Sequence, residues 1–427
     1  MQSPMRLFQI VLIVAYLLGS FGYSQVVSGR PDVLKPIDVS GFQSSISHWR
    51  NLKDETRFIQ VVEGQATYKP SQVREIVDNI LLFQRANGGW PKDYDMTAVL
   101  TSEQRAKVLA TRNNEDSSYD NGNLHSQVEY LARAFSQSND PAWRKACERG
   151  FDFILASQYS NGGFPQQFPR AKTFHAHITF NDGVMIGILK VLRQAAEEDA
   201  HFRWLDPERR QRASEAVQKG IECMLNCQIR VNGELTGWCQ QHDSVTLEAR
   251  PARTFELASI CPQETTDIVR YLMHLSVPSE KVLRSTDAAV AWLARVQLAG
   301  IRIDKVAAPQ ETFLRHTANF DVVVVEDPNA KPIWARHYEI EANLPIFAGR
   351  DGVKRYSLSE VERERRPAGV EPVRGRRSRR RRRQLQRQVH GLCKQRRILR
   401  ATHTHNAKSL LCSGCKTIVL PEGERGG

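Results

Sequence analysis

Four stretches of the chain share one pattern, apolar residues spaced three and four apart among polar ones. They are Val73/Ile76/Val77/Ile80/Leu81, Trp143/Cys147/Phe151/Ile154, Ala216/Val217/Ile221/Met224/Leu225 and Ala288/Ala289/Trp292/Leu293/Val296. That spacing lines one side of a helix, so each stretch predicts an amphipathic helix with a single buried face. Each also ends in a glutamine, at Gln84, Gln158, Gln228 and Gln297, in steps of 74, 70 and 69 residues. A period that regular predicts a repeated supersecondary unit.

The turns repeat as well. NGGWPKDYD at 87–95 follows the first stretch and NGGFPQQFP at 161–169 the second; a stretched third copy runs from Asn232-Gly233 to Trp238. Asn-Gly-Gly supplies the positive-φ positions that end a helix, and the following proline keeps it from continuing. Asp140-Pro141 and Ser285 read as start signals. Between these helices lie more apolar ones: Leu124/Val128/Leu131/Phe135 after YDNGN, Val184 to Leu192 after FNDG, and Ile268/Leu272/Leu275 after PQETTD, each introduced by a polar, acid-bearing turn. Two alternating sets of helices predict an all-α dominated α/α toroid over residues 31–300, with the more apolar set inside and the repeated turns gathered at one end. An ordinary helical bundle is the competing architecture. From 301 to 366 the pattern changes to strand-like pieces such as Val322 to Val325 and to Pro- and Gly-rich loops, which predicts an irregular, partly β region covering the toroid and completing a cleft.

Composition changes the picture at the two ends. Arg6 followed by LFQIVLIVAYLLG and then small and polar residues has the layout of a secretory signal over residues 1–30, with an apolar run too short for a bilayer span, so the expected location is secreted or periplasmic, with no membrane association once the signal is removed. The formal charge of +13 resides in residues 367–427, which hold 16 basic and 3 acidic residues; the chain before them is balanced. A balanced body predicts no specific nucleic-acid partner, and the expected state is a monomer. The basic tail, RGRRSRRRRRQ and onward, reads as a polyanion-binding arm, a solvated tail or an out-of-frame translation, and the abrupt break after Arg366 favours the last. Cys393, Cys412 and Cys415 with nearby histidines could mimic a zinc site there. The five cysteines of the body, Cys147, Cys223, Cys227, Cys239 and Cys261, are an odd number, so at least one is expected to be unpaired.

Candidate chemistry falls into two clusters. Asp120-Asn121-Gly122 and Asn181-Asp182-Gly183 precede inner helices at matching places and should converge on one mouth, with Asn113, Asn114, Glu115 and Asp116 nearby. Loop carboxylates and amide oxygens suit calcium, which takes six to eight hard oxygen ligands; helix capping is the plainer role for each turn alone. The second cluster is cationic: Arg250, Arg253, Arg336, Arg350 and Arg365. Guanidinium forks match carboxylates bidentately, so a cleft lined by them suits an acidic substrate.

The motifs ANGGWPKDYD, YDNGN, SQYSNGGFPQQFP, ITFNDGVM, GWCQQHD, RPARTFE and WARHYEIEANLPIFAGRDGVKRYSLSEVERERR together resemble the family 10 polysaccharide lyases, pectate lyases on an (α/α)3 toroid, over about residues 50–366. Such lyases continue through an aromatic Gly-Tyr-x-Trp-Tyr-like stretch that is missing here. The resemblance implies calcium-dependent β-elimination of polygalacturonate. It would make Asp120, Asn121 and Asp182 the metal site and Arg350 the base that takes the C5 proton. Arg253, Arg336 and Arg365 would hold uronate carboxylates, with Arg253 preferred over Arg250. Tyr338 would line the sugar path, and Trp90 and Trp238 either that path or the core. Burial, calcium and the neighbours Arg336 and Arg365 are expected to disfavour a charged Arg350, and an alkaline optimum would follow. Two other functions stay open: a toroidal glycoside hydrolase using Asp120 and Asp182 as its carboxylate pair, and a catalytically impaired binder of pectin or polyanions.

Overall fold

The computed structural model describes residues 33–169, 171–314 and 316–369. The expected signal at 1–30, the tail from 370 onward and its cysteines lie outside the described residues. Among the described residues nine longer helices come first: α1 (Gln43–Asn51), α2 (Val73–Phe83), α3 (Ser102–Ala110), α4 (His125–Ser138), α5 (Pro141–Ala156), α6 (Val184–Ala196), α7 (Pro207–Cys227), α8 (Pro262–Met273) and α9 (Glu280–Arg295). Helices α4, α6 and α8 form an inner layer, each packed against the outer helix that follows it, α5, α7 and α9, and α2 packs on both α4 and α5. This is the α/α toroid that the two alternating hydrophobic patterns predict. Inner helix α6 is the most apolar, with Val184, Met185, Ile188, Leu189, Val191 and Leu192 all buried.

The regular glutamines prove to be fasteners. The Nε2 groups of Gln84, Gln158 and Gln228 each donate to a carbonyl in their own turn, Gly88, Gly162 and Thr236 at 3.0, 3.0 and 2.9 Å. Each also donates to a carbonyl of the next outer helix, Ala146, Ala216 and Ser285 at 2.9, 2.8 and 3.0 Å. One side chain thus joins two otherwise unmatched backbone groups, which a buried turn requires. Gln297 makes no such bond among the described residues. Glycine in the turn is equally constrained: Gly162 has φ of +92°, and a Cβ there would lie 2.1 Å from the Lys219 carbonyl oxygen. The aromatic that follows is core, since Trp90 and Trp238 are fully buried and their indole N–H groups donate to Ile80 and Met224 carbonyls at 2.8 and 2.7 Å.

Two start signals are corrected. Helix α9 begins six residues before Ser285, at the N-cap Ser279, whose hydroxyl accepts from the Val282 N–H; Ser285 lies inside the helix and donates to Gln228 Oε1 at 2.6 Å. PQETTD is no introductory turn but the opening of α8 itself, with Pro262 at its first position, where a missing N–H costs nothing. Asp140 caps α5 as expected. All five body cysteines are free and buried.

Short strands β1 (Ile178–Thr179) and β4 (Gln241–His242) pair with each other, as do β2 (Arg230–Val231) and β3 (Glu234–Leu235). Beyond the helices, β5 (Ile301–Thr312) and β6 (Thr317–Glu326) form a long antiparallel hairpin, and β7 (His337–Tyr338), β8 (Pro345–Ala348) and β9 (Lys354–Arg355) form a three-stranded sheet. The sheet is tied to the toroid by reciprocal backbone bonds between Ile260 and Tyr338, 2.9 Å each. No helix among the described residues is long and apolar enough to cross a membrane.

Candidate active site

The repeat itself builds the site. The aromatic carbonyl of each turn, from Trp90, Phe164 and Trp238, accepts from the N–H of Ser118, Thr179 and Cys261, at 3.0, 3.0 and 2.8 Å, and so docks the segment leading into the next inner helix. Two residues beyond Ser118 and Thr179 come Asp120 and Asn181, each opening a short 3-10 turn, and the two turns touch. Asn121 and Asp182 occupy the same left-handed position in these turns, with φ of 56° and 51°. The third copy places Glu264 at the corresponding point of α8, bonded by Gln240 at 3.3 Å.

Two residues beyond each aromatic, the turns present Lys92, Gln166 and Gln240. The Lys92 ammonium lies 2.6 Å from Asp120 Oδ2, and the Gln166 amide donates to the same carboxylate. Gln240 donates to Asn181 Oδ1 at 3.2 Å. Burial works against a charged Asp120, but the Lys92 ion pair outweighs it and holds the carboxyl at about 2. Asp182 is pushed up to about 6, first by its depth among protein atoms and then by the Asp120 charge beside it, even though its side chain opens on the cleft. A carboxylate held ionised beside a second one that it forces upward invites a cation. No group of three acid, histidine or cysteine side chains gathers around a common point among the described residues, so a metal here would need waters or a ligand's own oxygens to complete its shell, which calcium accepts. Asn121 is fixed for such a role: Ser44 Oγ donates to its Oδ1 at 3.2 Å and its Nδ2 donates to Asp93 Oδ1 at 2.7 Å. Asn113, Asn114 and Glu115 stay on an exposed loop, and Asp116 pairs with Arg85 instead.

The arginines meet around Phe255. The guanidinium carbons of Arg365, Arg253 and Arg350 lie 3.6, 4.9 and 5.7 Å from its ring centre. Arg253 and Arg336 both reach the buried Glu256, Arg253 through a two-bond fork of 2.6 and 2.7 Å and Arg336 at 3.2 Å. Glu256 is driven up by burial, but these partners win and hold it at about 2. Arg253 and Arg336 both act electrostatically on Asp182, and Arg253 on Asp120 as well, which joins the cationic and acidic clusters in one cleft. Arg250 stands apart, paired with Asp243 at 3.0 Å.

Two expectations change. Arg350 is not stripped of its charge, because Glu364 grips it bidentately at 2.5 and 2.6 Å and raises its pKa above the usual arginine value. The arginine whose surroundings lower it is Arg365, brought to about 10 by burial and then by Arg336 and Arg253, and its buried Nε has no partner among the described residues. Tyr338 does not line a sugar path. It is 1% exposed, its ring packs edge-on to Trp292, and its hydroxyl donates to the Val296 carbonyl at 2.8 Å. Sequence reasoning missed Lys92, Gln166, Glu256, Phe255 and Glu364. The first two were readable, since they hold the same place in two copies of one turn.

A helical toroid whose mouth sets two loop carboxylates opposite a rank of arginines is a protein of the α/α-toroid class. The chain belongs to the pectic acid lyase family, whose model matches residues 84–370, and is therefore a lyase acting on polysaccharides. Among solved structures it is similar to a point mutant of the family 10 polysaccharide lyase of Cellvibrio cellulosa in complex with trigalacturonic acid, at 28% identity over 70% of this chain and 87% of that one, with a TM-score of 0.60. A further structure of the family 10 polysaccharide lyase from Cellvibrio cellulosa matches at 27% identity, over 70% of this chain and 86% of that one, with a TM-score of 0.58. No curated protein matches.

Proposed function

We propose that the protein is a pectate lyase that cleaves polygalacturonate by calcium-assisted β-elimination outside the cell or in the periplasm. The observation that carries this reading is the pair Asp120 and Asp182, of which one is held ionised and the other forced upward, facing arginines across the cleft. Asp120, Asp182 and the Asn121 side-chain oxygen fit a hard divalent cation. When bound, calcium would offset the charge that accumulates beside the uronate carboxylate as its C5 proton leaves.

Arg253, Arg336 and Arg365 would orient the uronate carboxylates. The bare Nε of Arg365 is a donor awaiting such an acceptor. Arg350 is the proposed base. To accept the C5 proton it must leave Glu364 and lose its own proton, a step that is uphill near neutral pH because the Glu364 pair raises its pKa above the usual arginine value. The electron pair of the C5–H bond then forms the C4–C5 double bond and the C4–O4 bond breaks, the departing oxygen taking a proton from water. Arg365 is a second candidate for the base, favoured by its depressed pKa of about 10.

Product masses discriminate this reading from hydrolysis. Elimination splits trigalacturonate into fragments whose masses sum to the parent, whereas a glycoside hydrolase adds one water per cut. Fragments carrying the extra water would replace the lyase reading with the carboxylate-pair hydrolase.

A further inference from the structure

A pocket of about 320 Å³ is bounded by Asn87 of the first repeated turn, Arg149, Asp152 and Phe153 of α5, and Phe168-Pro169. Both of its walls lead to Asp120. On one side Phe168 stands two residues past Gln166, which bonds Asp120, so their Cα atoms are at most about 7 Å apart. On the other, the turn that begins with Asn87 delivers Lys92 to the same carboxylate, and Asn87 Oδ1 accepts from Ser117 Oγ at 3.3 Å.

The charge of the pocket is one-sided. Arg149 donates to the neutral amide oxygen of Gln84, no carboxylate pairs with it among the described residues, and the charge that acts on it is another cation, Arg112. The acid on the wall, Asp152, is already occupied by Arg209 through two bonds of 2.8 and 2.6 Å. Since a guanidinium carries five N–H donors, Arg149 has several to offer an incoming anion. Beside it, Phe168 is half-buried and stands edge-on to Phe153, with ring centres 5.5 Å apart at 77°. A cation next to an aromatic surface matches a sugar acid, whose carboxylate suits the guanidinium fork and whose C–H face suits the ring.

We propose that this pocket is a distal uronate subsite, which takes a further residue of a polygalacturonate chain whose reacting residue lies at Asp120 and Asp182. The proposal rests on the pectate reading of the main site. It gives the protein a preference for chains long enough to span both places, and it assigns that preference to Arg149.

Steady-state kinetics on trigalacturonate and hexagalacturonate, with the unaltered protein and with Arg149→Gln, Arg149→Lys and Phe168→Ala, test it. The unaltered protein should show a KM at least tenfold lower for the hexamer. Arg149→Gln and Phe168→Ala should erase most of that advantage while leaving kcat and the trimer KM within about twofold, and Arg149→Lys should restore part of it. A hexamer advantage that survives both Arg149→Gln and Phe168→Ala would overturn the subsite. So would equal losses on trimer and hexamer, which would mark Arg149 as a support of the fold. If the unaltered protein cleaves neither oligomer, the pectate reading fails and the subsite falls with it; if it cleaves both alike, the subsite alone is refuted.

Discussion

The Lys92 ammonium rests 2.6 Å from Asp120 Oδ2 and 3.8 Å from Asp93 Oδ2. Although burial by itself would lower it, Asp120 and Asp93 keep Lys92 firmly charged, so it acts as the resident counter-ion of the carboxylate site. A divalent cation arriving at Asp120 must compete with it. Replacing Lys92 with Met removes a charge-assisted bond of roughly 1.5–3 kcal/mol from the free state and should tighten calcium binding about tenfold or more in a calorimetric titration. Unchanged or weaker binding would mean that the cation does not engage Asp120.

Metal binding should also be pH-dependent. Asp182 has its pKa raised to about 6, so it is protonated below that pH and must lose the proton to serve as a ligand. Calcium affinity is expected to fall as the pH drops from 7 to 5, and Asp182→Asn should flatten the dependence while weakening binding overall. The sign for stability is the reverse of the usual carboxylate case: a raised folded-state pKa favours the folded form fully below the ordinary value of 3.8, and that contribution is lost as the pH rises to about 6. Added calcium should therefore raise the melting temperature more at pH 7.5 than at pH 5.

The identity of the base is open to direct test. Arg350→Ala should abolish turnover of polygalacturonate and leave its binding within a few fold, and the pH–rate profile of the unaltered protein should climb into the alkaline range. If Arg365→Ala alone abolishes turnover while Arg350→Ala retains it, the arginine brought to about 10 is the base. A maximum near pH 5 would contradict both.

Gln228 fastens the third turn to α9 through carbonyls of Thr236 and Ser285, and it also accepts from Ser285 Oγ at 2.6 Å. Gln228→Ala strands these buried groups at about 1–3 kcal/mol for each unsatisfied one. Urea unfolding should show a loss of about 2–4 kcal/mol. A loss under 0.5 kcal/mol would show that the glutamine period has another origin.

The sequence pattern carried the toroid because its signal is local and repeated: one buried stripe per helix, one glutamine and one glycine turn per unit. The matched turns around Asp120 and Asp182 were legible for the same reason, since equal spacing before equivalent helices brings side chains to one mouth. What local pattern hides is pairing across the fold. Glu364 lies only fourteen positions from Arg350, yet nothing in the spacing says that its carboxylate closes on that guanidinium rather than on Arg355 or Arg365. Likewise Arg253 and Arg250 are indistinguishable as neighbours in RPART, and only the placement of Glu256 against one and Asp243 against the other separates them. Tyr338 misled because an aromatic in a motif rich in charged residues looks like a ligand contact, whereas its two-residue strand buries it against Trp292.

The most direct test of the account follows ultraviolet absorbance while the protein acts on polygalacturonate, first with calcium and then with a chelator in excess. Because elimination leaves a double bond conjugated to the carboxylate, absorbance should climb steadily with calcium and stop on chelation. New reducing ends without absorbance, or a rate indifferent to the chelator, would contradict a reaction built on Asp120, Asp182 and a bound cation.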